Sequence, residues 1–403
     1  MQTKQVKPVL VRLTTIPLSL DKLLTGQLKF MSQSGFDVHM VSSHAANVQQ
    51  LAQRENSTFH KVTMTRTIAP LSDLVSLFKL AKLFRQLNPA IVHSHTPKAG
   101  LLGMLAAKIS GVPVRLHTVA GLPLMEATGV KRKILNVVER LTYWCATAVY
   151  PNSSNLQTFI LQNKFCKAEK LKVIGNGSSN GINTSFFAPT QEIVKQAAAI
   201  RKKYTITPDQ FVFIFIGRVV QDKGIVELVE AFTKLKNIHL TVRLLLVGPF
   251  EPDLDPLPAH IVATIKSDPD IFHTGYQDDV RPYLAASNAM VFPSYREGFP
   301  NVPMQAGCFD LPVIVTNING CNEIIEHGKN GVIIDTKSVD QLQNSMELFM
   351  TDKSLYDSCK QHARQMIVSR YDQPYVWRLI LKEYTQKLNI KTALHQHTTR
   401  HSR

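Results

Sequence analysis

The chain has 403 residues, 44% hydrophobic and 19% charged, enough for two or three domains with substantial cores and too apolar for wholesale disorder. Its net charge of +16 is unevenly placed: residues 1–190 hold 22 Lys/Arg against 7 Asp/Glu, and residues 191–403 hold 24 against 23. A basic half beside a neutral one calls for an anionic partner, whether nucleic acid, an anionic membrane surface or a phosphorylated substrate. No apolar run reaches the ~18–20 residues of a membrane span. The stretch from Val9 to Leu20 is broken by Arg12 and reads as a first buried strand, not a secretory signal. Five cysteines, odd in number and without CxxC spacing, argue against a disulfide framework or structural zinc site and fit a reducing cytoplasm.

Short β-rich runs then alternate with helical patterns. Strands are predicted at Pro8–Thr14, Asp37–Ser42, Thr58–Thr63, Ala90–His95, Val114–Thr118, Ala148–Asn152 and Leu171–Gly175. Helices fall between them at Asp21–Gln33, Leu71–Gln86, Pro97–Ile109, Val130–Ala146 and Ser153–Gln162. Within Leu71–Gln86, Leu74, Leu77, Phe78 and Ala81 follow the i, i+3, i+4, i+7 period. A polar helix at Thr190–Lys203 marks the crossing, and the pattern restarts. Strands follow at Phe211–Ile216, Val242–Val247, Ile271–His273, Met290–Pro293, Pro312–Val315 and Val332–Ile334. Helices intervene at Gly224–Leu235, Val280–Ala286, Val302–Cys308, Asn322–Glu326 and Ser338–Met350. Tyr375–Gln386 reads as a last helix, returning to the first domain, and Thr392–Arg403 as an aperiodic, frayed tail. The expected fold class is α/β: two Rossmann-like doubly wound parallel-sheet domains, 1–190 and 191–375, facing a cleft, with a returning helix at 376–390 and a tail at 391–403.

Two segments carry the chemistry. In Phe215-Ile-Gly-Arg-Val-Val-Gln-Asp-Lys-Gly224 a strand ends at Gly217 and a short turn opens a helix. Arg218 and Lys223 there bracket a diphosphate, or are incidental bases of a solvated loop. In Phe292-Pro-Ser-Tyr-Arg-Glu-Gly-Phe-Pro-Asn-Val-Pro-Met-Gln-Ala-Gly307 a second strand ends and a proline-led helix follows. Glu297 can accept hydrogen bonds from sugar hydroxyls, or simply complement a helix dipole.

Other features point less sharply. Asp253-Leu-Asp255 has the spacing of metal-dependent sugar transferases, but sits in a proline-rich loop and reads as a solvated turn away from the two segments. Gly175-Asn-Gly177 lacks the dinucleotide fingerprint. His93 and His95 share a strand face without further ligands nearby, so structural or acceptor-side roles are favoured over a metal. Lys131, Arg132, Lys133 and Arg140 precede Tyr143 and Trp144 on one helix, with Lys79, Lys82 and Arg85 on another. These match no nucleic-acid module but suit an anionic membrane surface, the plainer reading being a solvated helix whose aromatics are core.

Together the two segments resemble the retaining GT-B glycosyltransferases of family 4, whose Gly-Arg…Lys-Gly loop is followed by a Glu-Gly-Phe loop and a second acid eight residues on. The resemblance spans nearly the whole chain. Leu13-Thr-Thr-Ile-Pro17, Ile91-Val-His-Ser-His-Thr-Pro-Lys-Ala-Gly100, Leu116-His-Thr-Val-Ala-Gly-Leu122 and Val173-Ile-Gly-Asn-Gly177 look like its bacterial capsule, O-antigen and exopolysaccharide branch. The resemblance implies Arg218, Lys223, His117 and Glu297 as catalytic groups. Gly217, Gly298, Phe299, Pro300, Asn301 and Gln305 would join Arg218, Lys223 and Glu297 around the donor, with His93, His95 and Lys98 on the acceptor side. Position 305 departs from the family: Gln stands for the usual acid, though an amide still serves ribose hydroxyls.

The implied reaction moves a hexose or N-acetylhexosamine from a nucleotide-diphosphate sugar, UDP being favoured, to a polyprenyl-diphosphate-linked saccharide. It would retain configuration, use no metal or other cofactor, involve no nucleic acid and run at the cytoplasmic face of the cell membrane. A sugar-nucleotide epimerase on the same fold is the alternative.

Overall fold

A computed structural model describes residues 7–400 except 47, 66, 68, 123, 125, 126 and 254, with side chains described through Asn389. The chain forms two units, residues 1–180 with 373–403, and residues 181–372.

The first unit runs β1 (Val9–Leu13), α1 (Pro17–Leu24), α2 (Gln27–Gln33), β2 (Asp37–Ser42), α3 (Val48–Arg54), β3 (Thr58–Lys61), α4 (Pro70–Leu87), β4 (Ile91–Ser94), α5 (Pro97–Ile109), β5 (Val114–Val119), α6 (Gly129–Cys145), β6 (Ala148–Pro151) and α7 (Ser154–Gln162). Its six strands are parallel, in the order β3-β2-β1-β4-β5-β6. Both faces are covered, so β1 and β4–β6 read as near-continuous buried runs. The period of two sorts them. Val11, Leu13, Val92 and Val119 face the layer containing Leu80, Phe84, Leu102 and Tyr143 from α4, α5 and α6. Leu10, Ile91, Leu116 and Tyr150 face the other way.

The second unit runs α8 (Gln191–Lys203), β7 (Phe211–Ile216), α9 (Ile225–Lys236), β8 (Val242–Val247), α10 (Ala259–Ser267), β9 (Ile271–Gly275), α11 (Arg281–Ala285), β10 (Ala289–Phe292), α12 (Asn301–Gly307), β11 (Val313–Thr316), α13 (Cys321–Ile324), β12 (Gly331–Ile334), α14 (Val339–Thr351) and α15 (Lys353–Tyr371). Its parallel sheet has the order β12-β11-β10-β7-β8-β9. A final helix, α16 (Gln373–Arg400), belongs to the first unit, where Val376, Ile380 and Tyr384 are buried beside Leu10, Ile91 and Tyr150.

Several local expectations are corrected. The single helix predicted over Asp21–Gln33 is two, broken at Gly26, whose φ of +78° is left-handed. A Cβ there would lie 2.7 Å from the Trp377 ring on α16, so glycine lets the last helix close onto the first. Leu171–Gly175 forms only one bridge, Val149 to Leu171, in place of a seventh strand. The first unit ends at Asn180, ten residues before the expected boundary, and α16 carries helix through residues 392–400, where an aperiodic tail was predicted.

Candidate functional site

In the second unit the chain leaves β7 toward β8 and β9, then returns to β10 on the other side. The loops after β7 and β10 therefore lie side by side at the carboxyl ends of adjacent strands, where open α/β sheets hold ligands. These are the two segments singled out above. Gly217 and Arg218 follow β7, one 3-10 turn spans Gln221–Lys223, and Gly224, at φ +71°, starts α9. A Cβ on Gly224 would overlap the Pro293 carbonyl, so only glycine lets the loops meet.

That approach sets Lys223 Nζ 2.6 Å from Glu297 Oε1, with both side chains more than four-fifths buried. Ser294 Oγ lies 3.1 Å from the same carboxylate oxygen, and Tyr295 N–H donates to Asp222 O at 2.9 Å. Asn319 Nδ2 donates to the carbonyls of Glu297 and Gly298, Phe299 packs on the Tyr371 ring at 5.5 Å, and Pro300 precedes Asn301 at the start of α12. Gln305, one turn into α12, is half-buried and its side chain makes no hydrogen bond among the described residues.

Arg218 holds partners that sequence reasoning missed. Its Nη1 lies 3.2 Å from Glu251 Oε2, and its Nη2 lies 3.9 Å from Asp222 Oδ2. Arg296 pairs with Asp222 at 3.0 Å, and Asp255 Oδ2 accepts from the Asp222 backbone N–H at 2.5 Å. The proline-rich loop read as a solvated turn away from these segments is thus packed against one of them. Glu251 faces a base and Asp255 a backbone N–H, and polarity alone does not distinguish a solvated carboxylate from a paired one. The cluster gathers three bases and four acids, with Arg218 the most exposed member after Arg296.

Of the candidate residues of the first unit, His93, His95 and His117 are buried and Lys98 is partly buried. His117 lies within β5, two residues before its end, on the face of the α4–α6 layer; its Nδ1 is 2.9 Å from Ser94 Oγ, and burial lowers its pKa to about 4, leaving it neutral at pH 7. Lys98 is held by Asp73 at 2.6 Å and donates to the Thr67 carbonyl, so its charge is met within the unit. His93 Nδ1 lies 2.5 Å from Tyr384 Oη and His93 Nε2 lies 2.8 Å from Thr118 Oγ1. His95 Nε2 accepts from Arg12 Nε at 3.1 Å. Both are held well below the ordinary imidazole range, first by burial. Among the described residues, no group of three His, Cys, Asp or Glu side chains could hold a metal.

On α6 the expected pairing of Tyr143 with Trp144 splits. Tyr143 is core, while Trp144 is exposed with Lys108 Nζ 2.8 Å above its ring. Trp144 closes an exposed apolar stripe, Val130, Ile134, Val137 and Leu141, and α4 exposes Leu71, Leu74, Val75 and Phe78.

Known proteins share this organisation. The family described as glycosyl transferases group 1 matches residues 196–366, and the glycosyl transferase 4-like domain matches residues 26–177. The chain is 32% identical over 362 residues to the capsular polysaccharide biosynthesis glycosyltransferase CapM of Staphylococcus aureus, covering 90% of this chain and 93% of that protein. It is 25% identical over 374 residues to the Escherichia coli UDP-Gal:alpha-D-GlcNAc-diphosphoundecaprenol alpha-1,3-galactosyltransferase, covering 91% and 94%. Among solved structures, a Rickettsia africae glycosyltransferase matches with a TM-score of 0.79 at 19% identity, covering 95% of this chain and 99% of that one. Anabaena HepE, crystallised with UDP, matches with a TM-score of 0.77 at 17% identity, covering 94% and 100%. The chain belongs to the GT-B glycosyltransferases of the group 1 and family 4 type, in their capsule and O-antigen branch.

Proposed function

We propose that this glycosyltransferase takes a hexose or N-acetylhexosamine from a UDP-sugar and transfers it, with retention and without a metal ion, to a polyprenyl-diphosphate-linked saccharide. The observation that carries the donor assignment is the Lys223–Glu297 pair, flanked by Arg218, at the strand ends where the second sheet reverses its order. Two bases beside a backbone turn suit a diphosphate, and a carboxylate anchored by one of them suits sugar hydroxyls. The acceptor assignment is supported by relatives: the Escherichia coli enzyme and a Campylobacter jejuni one are named for acceptors carried on undecaprenyl diphosphate.

The mechanism follows from where charge develops. As the anomeric bond breaks, the leaving diphosphate gains negative charge, and Arg218 and Lys223 are set to stabilise it there. A diphosphate at Arg218 would compete with Glu251, which takes Nη1 of the guanidinium. The first unit would hold the acceptor, with Gly217, Gly298–Asn301 and Gln305 completing the donor contacts. His117, neutral at pH 7, would donate or accept a single hydrogen bond and carry no charge.

Membrane association completes the reading. The first unit holds 28 Lys/Arg against 8 Asp/Glu, while the second holds 18 against 22. The exposed stripe of α6 lies amid Lys131, Lys133 and Arg140, which suits peripheral attachment to the anionic inner face of a membrane. No helix among the described residues is long and apolar enough to cross a membrane.

The test is a donor panel, UDP-GlcNAc, UDP-GalNAc, UDP-glucose, UDP-galactose and GDP-mannose, incubated in EDTA with and without lipid-diphosphate acceptor while nucleotide release is followed. Acceptor-dependent release from one donor is expected. Conversion of a donor to its epimer without release would replace the transferase reading with an epimerase.

A further inference from the structure

The strand positions of the first unit that face α16 turn polar toward their carboxyl ends. Leu10 gives way to Arg12, Ile91 to His93, Leu116 to Thr118, and Tyr150 to Asn152. The ends at His93, Thr118 and Asn152, with Gln27 and His95, line a small recess with room for a group about the size of one water.

Behind the recess stands Arg12, fully buried and met by neutral groups alone. Nε donates to His95 Nε2 at 3.1 Å, Nη1 to Tyr384 Oη at 2.9 Å and Nη2 to Gln27 Oε1 at 2.6 Å. No ion pair to Arg12 occurs among the described residues, which is rare for a buried guanidinium.

This fixes the hydrogen-bonding character of the lining. A guanidinium only donates, so His95 Nε2 is the acceptor and the neutral ring carries its proton on Nδ1. That Nδ1–H is buried and has no partner. Asn152 is its complement: Nδ2 donates to the Ala120 carbonyl at 3.2 Å, and Oδ1 is buried with no partner. Elsewhere in the lining, both nitrogens of His93 are engaged, and the Gln27 amide donates to Ser179 O and Asn180 Oδ1. Among the fully buried polar atoms of the lining, one donor and one acceptor are thus unmet, on side chains more than nine-tenths buried.

We propose that this recess is a saccharide subsite that takes one ligand hydroxyl, which accepts from His95 Nδ1–H and donates to Asn152 Oδ1. A hydroxyl is the substituent that does both at once. A cation is disfavoured by Arg12, and an anion, which only accepts, would leave the Asn152 oxygen without a donor. Arg12, Tyr384 and Gln27 are positioning residues: they hold His95 in the one tautomer that presents a donor. The owner of the hydroxyl is the acceptor saccharide, and this naming alone rests on the transferase reading.

The experiment has an arm that needs no turnover. Saturation-transfer NMR on the full chain uses methyl glycosides of glucose and N-acetylglucosamine and their monodeoxy forms. Wild type is expected to bind the parent glycoside and to lose that signal for one deoxy position. Asn152→Leu, which fills the recess, is expected to abolish the signal. In the kinetic arm, Asn152→Ala is expected to raise the KM for a polyprenyl-diphosphate N-acetylglucosamine acceptor about tenfold, as loss of one hydrogen bond does, while the donor KM stays put. Thermal melts report whether the variants fold, and the deoxy series on wild type stands without them. Equal binding of every deoxy form, or unaltered glycoside and acceptor binding in folded variants, would mean that the recess holds water only. Binding of chloride or phosphate without glycoside would make it an anion site. Loss of glycoside binding in Asn152→Leu alongside no turnover of any donor would keep the subsite and remove the transferase.

Discussion

Arg218 and Lys223 are two bases of one loop in different electrostatic settings. Arg218 is 39% exposed and paired at 3.2 Å to a partly exposed Glu251, so breaking that pair costs little. Lys223 is 15% exposed, and its removal strands Glu297 in a mostly buried position. Arg218→Ala and Lys223→Ala are each expected to cut turnover about 100-fold or more, the size of a lost oxyanion donor. A lowered melting temperature is expected for Lys223→Ala alone. Near-normal kcat in both would remove the charge-stabilisation mechanism. At position 305, Gln305→Glu gives ribose hydroxyls a charged acceptor in place of a neutral one, expected to lower the donor KM several-fold with kcat little changed. An unmoved donor KM would place position 305 outside the donor contacts. Arg218, Lys223 and Glu297 are legible in the sequence because each sits at a fixed offset from a strand end and a glycine. Glu251 and Asp255 are not, because their neighbours are 33 residues away in the chain and the loop's prolines suggest a simple turn.

The strand ends of the first unit carry a pH dependence. His93, His95 and His117 lie on β4, just after it and on β5, and burial keeps all three neutral in the folded protein, His117 to about pH 4. The unfolded chain protonates them near 6.5, so between about pH 6.5 and 4 it binds more protons than the fold does. Stability therefore rises with pH across this window and falls as pH drops through it, by about 1.4 kcal/mol per pH unit for each histidine. Urea midpoints measured from pH 7.5 to 5 are expected to fall steeply below pH 6.5. A flat profile would show that these rings are not buried neutral. In the second unit, Gly224→Ala drives a Cβ into the Pro293 carbonyl at a left-handed φ. It is expected to separate the two loops and abolish UDP binding in calorimetry, while the far-UV spectrum is retained. The turn is visible in the sequence as Lys-Gly before a helix, whereas the identity of what the glycine touches is not.

At the scale of the molecule, charge is partitioned by unit more sharply than by sequence half, because α16 adds its bases to the first unit. Flotation with vesicles containing phosphatidylglycerol is expected to recover the protein, with recovery falling as salt rises. Val137→Glu with Trp144→Glu is expected to lower recovery several-fold without changing the melting temperature, since both side chains are exposed. Equal recovery on zwitterionic vesicles would show that charge plays no part.

The sequence by itself determined the two parallel sheets, all their strands with one too many in the first, and the pair of loops after β7 and β10. Alternation of buried runs with amphipathic segments and glycine at strand ends are local signals, set by periods of 2 and 3.6 residues. Tertiary structure alone decided the rest. Arg12, Gln27, His95, Asn152 and Tyr384 come together from five separate stretches of chain. Their meeting depends on strand order and on the return of α16, neither of which any local period encodes. A buried arginine on a strand reads as an interruption until the fold supplies the neutral groups that surround it.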